Sequence, residues 1–183
     1  ETIFLAFLGY FFLKEKINLI TLIAIVLGMS GVLLILGSSL SIQSSEQFLG
    51  NLVAFIMPIS FAVLVIIVRK NSKVDMIPAQ FIAGILAALI GLFVAGKISI
   101  SLHDLTLAFL AGFFQIGFGF ILITIGSKYT PAAVVGVLML TESVFGPLWA
   151  WLFINEIPPL TVLIGGGVII SAILFQSVFG KKQ

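Results

Sequence analysis

Along this chain, runs of about twenty apolar residues alternate with short clusters of charge, proline, glycine or serine. Each run is long enough to cross a hydrocarbon core of roughly 30 Å as a helix. The pattern predicts seven spans. The first, 1–13, is short and closes at Lys14-Glu15-Lys16. The second covers 19–36, with Asn18 as N-cap and Gly37 as its stop, followed by a serine-rich loop at 38–47. The third runs over 49–68, contains Pro58, and stops at Arg69-Lys70-Asn71-Ser72-Lys73. The fourth is 77–95, ended by Gly96-Lys97, and the fifth is 104–126, with Ser101 or Asp104 at its start. The sixth is 131–154, with Thr130 as N-cap and Pro131 at the first helical position, and the seventh is 158–178. Links this short make neighbouring spans antiparallel.

The pattern also contains a repeat. At a constant offset of 141 residues, Glu1 matches Glu142, Phe4 matches Phe145, Phe12 matches Phe153 and Glu15 matches Glu156. The match continues without a gap through Leu19/Leu160, Leu22/Leu163, Ile23/Ile164, Ser30/Ser171 and Leu33/Leu174. Shared leucines say little in so apolar a chain. The glutamates say more, because four of the five present fall into two matched pairs. The first residues already read as the middle of a helix, so the expectation is that an N-terminal part of the protein precedes Glu1.

Composition turns this pattern into a class. The chain is 61% hydrophobic and 9% charged, with mean hydropathy +1.31, against about 45–50% apolar and 25% charged for soluble domains. It reads as an all-α polytopic membrane bundle. The net charge of +2 sits in loops and forms no patch, so it does not point to nucleic acid. With no cysteine and a single histidine, His103, there is no disulfide framework and no multi-ligand Cys/His metal site. No cofactor is expected.

Charge also orients the bundle. Lys14, Lys16, Arg69, Lys70, Lys73, Lys128, Lys181 and Lys182 fall on one side of the predicted topology, and only Lys97 on the other. The positive-inside rule then puts the C-terminus in the cytoplasm. Spans one and two are joined on that side, while their copies, spans six and seven, are joined on the opposite side. The repeat is therefore inverted, an architecture of transporters whose substrate site lies near the midplane between halves.

The segment TPAAVVGVLMLTESVFGPLWAWLFINEIPPLTVLIGGGVII resembles the closing helices of EamA-like transporters of the drug/metabolite transporter superfamily. The shared features are Thr130-Pro131-Ala132, a mid-helix Glu142, and a helix ending in Phe153-Ile154-Asn155-Glu156. Ser143 stands where the family often has Pro, and Asn155 where Gly is common. The resemblance implies helices four to ten of a ten-helix protein. Residues 1–36 would be the last two helices of a first repeat, 37–48 an external linker, 49–179 a complete second five-helix repeat, and 180–183 a cytoplasmic tail. It implies a bacterial inner-membrane permease, commonly an exporter of amino acids, drugs or other small metabolites. The expected partners are membrane lipids, a small-molecule substrate and the missing N-terminal helices, with a homodimer left open.

Few residues offer chemistry within the spans. Glu142 lies near the bilayer midplane, where a carboxylate costs on the order of 2.5–3.5 kcal/mol and faces the bundle interior. Phe145, Gly146 and Trp149 share its helical face. Glu142 either binds a cationic substrate or exchanges a proton, or it is a hydrogen-bonded packing residue; Glu1 is its symmetry-related copy. Gln115, between Gly112 and Gly117, is a substrate contact or an interhelical hydrogen bond. Gln80 and Ser60 are weaker candidates. Pro58 and Pro147 kink their helices, and Gly117 and Gly146 allow close packing. Glu15 and Glu156 are read as favourable charges at the start of the helix that follows each. Three functions compete: a secondary transporter working by alternating access, a lipid-carrier flippase or non-transporting subunit of the same fold, and a membrane enzyme. HExxH and serine-elbow patterns are absent, and no His or Asp set lies within the spans, so an enzyme is disfavoured.

Overall fold

In a computed structural model, residues 1–37, 50, 52–95 and 100–180 are described. The whole of the 38–47 loop, the 37–48 linker beyond Gly37, Lys97, Lys181 and Lys182 lie outside them. The described residues are helical, without strands, in the order α1 (Thr2–Leu13), α2 (Leu19–Gly37), α3 (Ile56–Lys70), α4 (Ile77–Val94) and α5 (Leu102–Leu110). A π-helical segment (Ala111–Phe118) follows, then α6 (Gly119–Tyr129), α7 (Ala132–Met139), α8 (Thr141–Ile154) and α9 (Leu160–Phe179). Six helical stretches are long and apolar enough to cross a membrane, namely Leu19–Gly37, Leu52–Lys70, Ile77–Val94, Leu102–Tyr129, Ala132–Ile154 and Leu160–Phe179; Thr2–Leu13 is a shorter apolar helix. Large side chains stand uncovered by protein along these stretches, Phe93 at 88% and Phe81 at 70% exposure among them. In water such surfaces would aggregate; in hydrocarbon they are the ordinary outer face of a bundle. The chain is an integral membrane protein.

Two compact units divide the chain, one formed by 1–67 with 130–183 and the other by 68–129. In the first, α2 and α9 lie backbone to backbone. A Cβ on Gly31 would sit 2.7 Å from the Gly165 carbonyl oxygen, and one on Gly165 would sit 2.6 Å from that of Gly31. Gly28 faces Ala172, Gly31 faces Ile169 and Gly165 faces Ile35, so one index rises as the other falls and the helices are antiparallel. Helix α2 buries Thr21, Ala24, Ile25, Gly28 and Gly31; α9 buries Gly165, Gly166, Ile169, Ala172 and Gln176. Ala24, Ile25, Gly28 and Gly31 stand 141 positions from Gly165, Gly166, Ile169 and Ala172. In lipid, contact of this kind is driven by close packing of small residues rather than by expulsion of water.

Helices α1 and α7 make a second antiparallel pair. Gly9 abuts Ala132, Gly136 abuts Thr2, and the buried Thr2 hydroxyl donates to the Gly136 carbonyl at 2.9 Å. Leu5, Ala62, Val65, Ile66, Ala132 and Val135 form a core with α3, and Ala6, Ala24, Ile25, Ala133 and Val137 form another with α2. In the second unit, the Gln80 amide donates to the Thr124 hydroxyl, tying α4 to α6.

Local sequence explains the ends. The Asn18 side chain accepts from the Thr21 amide at 2.7 Å, capping α2 as expected. Ser101 caps α5, its hydroxyl accepting from the Asp104 amide at 3.1 Å and donating to the Asp104 carboxylate at 2.7 Å. At α7 the expectation shifts by one residue, because Pro131 and not Thr130 is the N-cap, with φ −53° and ψ 141°. Residues 52–54 are helical but Phe55 is a turn before α3 begins. That break precedes Pro58 by three residues, where the proline ring collides with the preceding turn and one backbone donor is missing.

Candidate functional site

The expected single helix over 131–154 is two helices. Leu140 joins α7 to α8 in the right-handed region, φ −61° and ψ −18°, so the direction of the chain is kept while the hydrogen-bond ladder is interrupted. Around the joint the Leu140 amide bonds to Val137 and the Ser143 amide to Leu140, while the Thr141 hydroxyl donates to the Leu138 carbonyl at 2.6 Å. A hydroxyl that captures a carbonyl in this way bends a helix. Pro147 lies inside α8, well past this joint.

The joint places Glu142 in the first turn of α8, where the unsatisfied amides of a helix start favour negative charge. It is the eleventh of 23 residues in the stretch Ala132–Ile154, which is about 34 Å long at 1.5 Å per residue. The carboxyl is therefore close to half-way along. On the same face, Phe145 stacks on Trp149 with ring centroids 6.2 Å apart, and Trp149 leans on Phe153 at 5.7 Å. Glu142, Phe145, Gly146 and Trp149 are all uncovered by protein. They form a strip with an acid at one end and aromatic faces beyond it, a surface suited to a cationic or aromatic solute.

Glu1, the N-cap residue of α1, lies near enough to Glu142 for the two carboxyls to interact electrostatically.

Gln115 belongs to the other compact unit and lies on the π-helical segment. Single π turns occur often at functional positions, and eight residues in this geometry are rare. A Cβ on Gly112 or Gly119 would meet open space, and one on Gly117 would meet only the Gly112 carbonyl, at 3.3 Å. Among the described residues no other helix presses on these glycines, nor on Gly146. Ser60 is exposed. Gln80 does form an interhelical hydrogen bond, while its own side-chain oxygen and the Ser127 hydroxyl are buried without a partner among the described residues.

Glu15 precedes α2, whose side-chain cap is Asn18. Its carboxylate reaches the other half of the unit and accepts from the Ala132 amide at 2.8 Å, capping α7. Pro131, at the cap position, supplies no side-chain acceptor of its own. Sequence reasoning missed this contact and the buried Thr2–Gly136 bond, since both join residues more than a hundred positions apart. The only signal was the duplication of Glu15 itself. No group of three or more His, Asp or Glu suited to a metal lies among the described residues.

Residues 47–178 match the model of the EamA-like transporter family, a stretch running from before α3 almost to the end of α9. The chain belongs to the EamA-like transporter family. It is also 26% identical over 184 residues to a protein of Clostridium kluyveri named an uncharacterized transporter, an alignment covering 95% of this chain and 59% of that relative. No solved structure matches. The EamA match contains Gln115, Glu142 and Glu156 and leaves Glu1 and Glu15 outside it. With its apolar helices, membership makes the chain part of a membrane transporter.

Proposed function

We propose that this EamA-like protein is a permease for small metabolites, such as amino acids or drugs, working as an exporter in a bacterial inner membrane. Its two inverted halves alternate access to a site containing Glu142, with the C-terminus cytoplasmic. Residues 1–36 close the first repeat and 49–179 form the second. The observation that carries this reading is Glu142 itself, a carboxyl half-way along the apolar stretch Ala132–Ile154 with the stacked Phe145 and Trp149 on its face. The equivalent burial of α2 and α9 at the 141-residue offset supports the symmetry of the two halves. Glu142 exchanges between a proton and a cationic substrate group, while Phe145 and Trp149 contact the substrate's apolar part.

The test is Glu142→Gln in the full-length protein, reconstituted in liposomes and compared with wild type over pH 5–8. The amide keeps the shape and removes the charge. The protein is expected to insert normally and to lose transport or its pH dependence. Normal insertion with wild-type rates throughout that range overturns the assignment and leaves Glu142 a structural acid.

A further inference from the structure

The unit formed by 68–129 contains a buried polar cluster made by Gln80 on α4 and by Thr124 and Ser127 on α6. Thr124 and Ser127 are 0% and 2% exposed, and residues three apart lie on one face of a helix. The Gln80 amide reaches that face and donates to the Thr124 hydroxyl. One turn along, the Ser127 hydroxyl is buried without a protein partner among the described residues, and so is the Gln80 side-chain oxygen.

A buried polar group left unbonded bears the full loss of its hydration, and two such groups from two helices beside one hydrogen bond share a cause. They do not bond to each other. Residues three apart on a helix have Cβ atoms about 5–6 Å apart, a spacing too wide for one hydrogen bond and suited to two through a small bridge. Turning the Gln80 amide over does not help, because Oε1 would then accept from Thr124 and leave Nε2 unpaired. The bridge must therefore pair with a hydroxyl and with either atom of an amide. A cation meets only oxygen lone pairs, and an anion meets only N–H and O–H groups; water meets both.

Charge and depth agree. Lys128 follows Ser127 directly, and the Arg69 guanidinium donates to the Lys128 carbonyl at 3.4 Å, so the nearby charge is positive and disfavours a cation. Gln80 is the fourth residue of α4, and Ser127 stands two before the end of α6. At 1.5 Å per residue both lie within about 5 Å of a helix end, beside the membrane boundary, where water is supplied. We propose that Gln80 and Ser127 form a site for one ordered water molecule, with Thr124 holding the amide in place, and that this water joins α4 to α6. It supplies the hydrogen bonds that the two side chains do not find in the protein.

Ser127→Ala separates this from an unbonded hydroxyl by the sign of its effect. Where water bridges the two groups, losing the hydroxyl breaks the bridge, and thermal unfolding in detergent is expected about 2–4 °C lower. Where the hydroxyl has no partner, its removal relieves a desolvation cost, and the melting temperature stays level or rises. A wild-type structure at a resolution that shows ordered water is expected to place one within hydrogen-bond distance of both Gln80 and Ser127. Wild-type melting is expected to be the same in sodium, potassium and choline chloride at equal ionic strength. An unchanged or raised melting temperature in Ser127→Ala overturns the proposal, as does a structure in which either group bonds to another protein atom instead. Stabilisation by sodium or potassium that Ser127→Ala abolishes also overturns it, and identifies a cation site. None of these readouts depends on transport.

Discussion

Replacing Gly31 by alanine asks whether backbone contact holds α2 to α9. The added Cβ would lie 2.7 Å from the Gly165 carbonyl oxygen and 3.2 Å from the Ile169 backbone nitrogen. Ordinary contact is near 3.4 Å or beyond, and a backbone atom cannot rotate away. The helices must therefore separate by several tenths of an ångström along a seam that depends on close approach. Overpacking of this kind costs about 1–3 kcal/mol. Alanine also improves the helix intrinsically by up to ~1 kcal/mol, so the clash must be read against a glycine with free space. Gly91 supplies that reference, since a Cβ there meets nothing within 4 Å. Gly28 supplies a second, because its Cβ would meet the end of the Leu140 side chain, which can swing aside. Thermal unfolding in detergent should place Gly31→Ala below Gly91→Ala by roughly 2–12 °C, the equivalent of 1–3 kcal/mol at this size, with Gly28→Ala between them. Adding Gly165→Ala to Gly31→Ala should cost less than its effect alone, since the helices have already parted. Gly31→Ala melting level with Gly91→Ala would refute the argument, because the seam would then not be set by backbone contact.

Two further outcomes follow from particular contacts. Thr2→Val keeps the shape and leaves the buried Gly136 carbonyl without its 2.9 Å donor, so a loss of about 1–3 kcal/mol is expected in chemical or thermal unfolding, whereas Thr2→Ser should lose less. Cysteines placed at positions 45 and 183 should label from opposite sides of the membrane, the latter from the cytoplasm, as the eight-to-one distribution of Lys and Arg requires; labelling from one side removes the topology.

Much of this protein is written along the chain because hydrocarbon imposes it locally. Length and hydropathy mark the spans, since every backbone group in lipid must be paired within its own helix. The Asn18 cap and the Ser101–Asp104 start lie within one turn of the atoms they serve, and short-range sequence sufficed for them. The offset of 141 residues likewise identified Glu1 and Glu142 as copies. Which faces pack was a different matter. A helix apolar all round carries no polar side from which to infer its inner one, and glycine looks alike at Gly31, where another backbone touches it, and at Gly119, where nothing does. The joint at Leu140 and the π-helical turn around Gln115 depend on small differences among hydrogen-bonding patterns, with no single residue demanding them. Glu15 shows the limit most plainly. Its duplication was legible, but its partner, the Ala132 amide, lies 117 positions away, and only the antiparallel docking of α1 on α7 brings the carboxylate to the helix start that it caps.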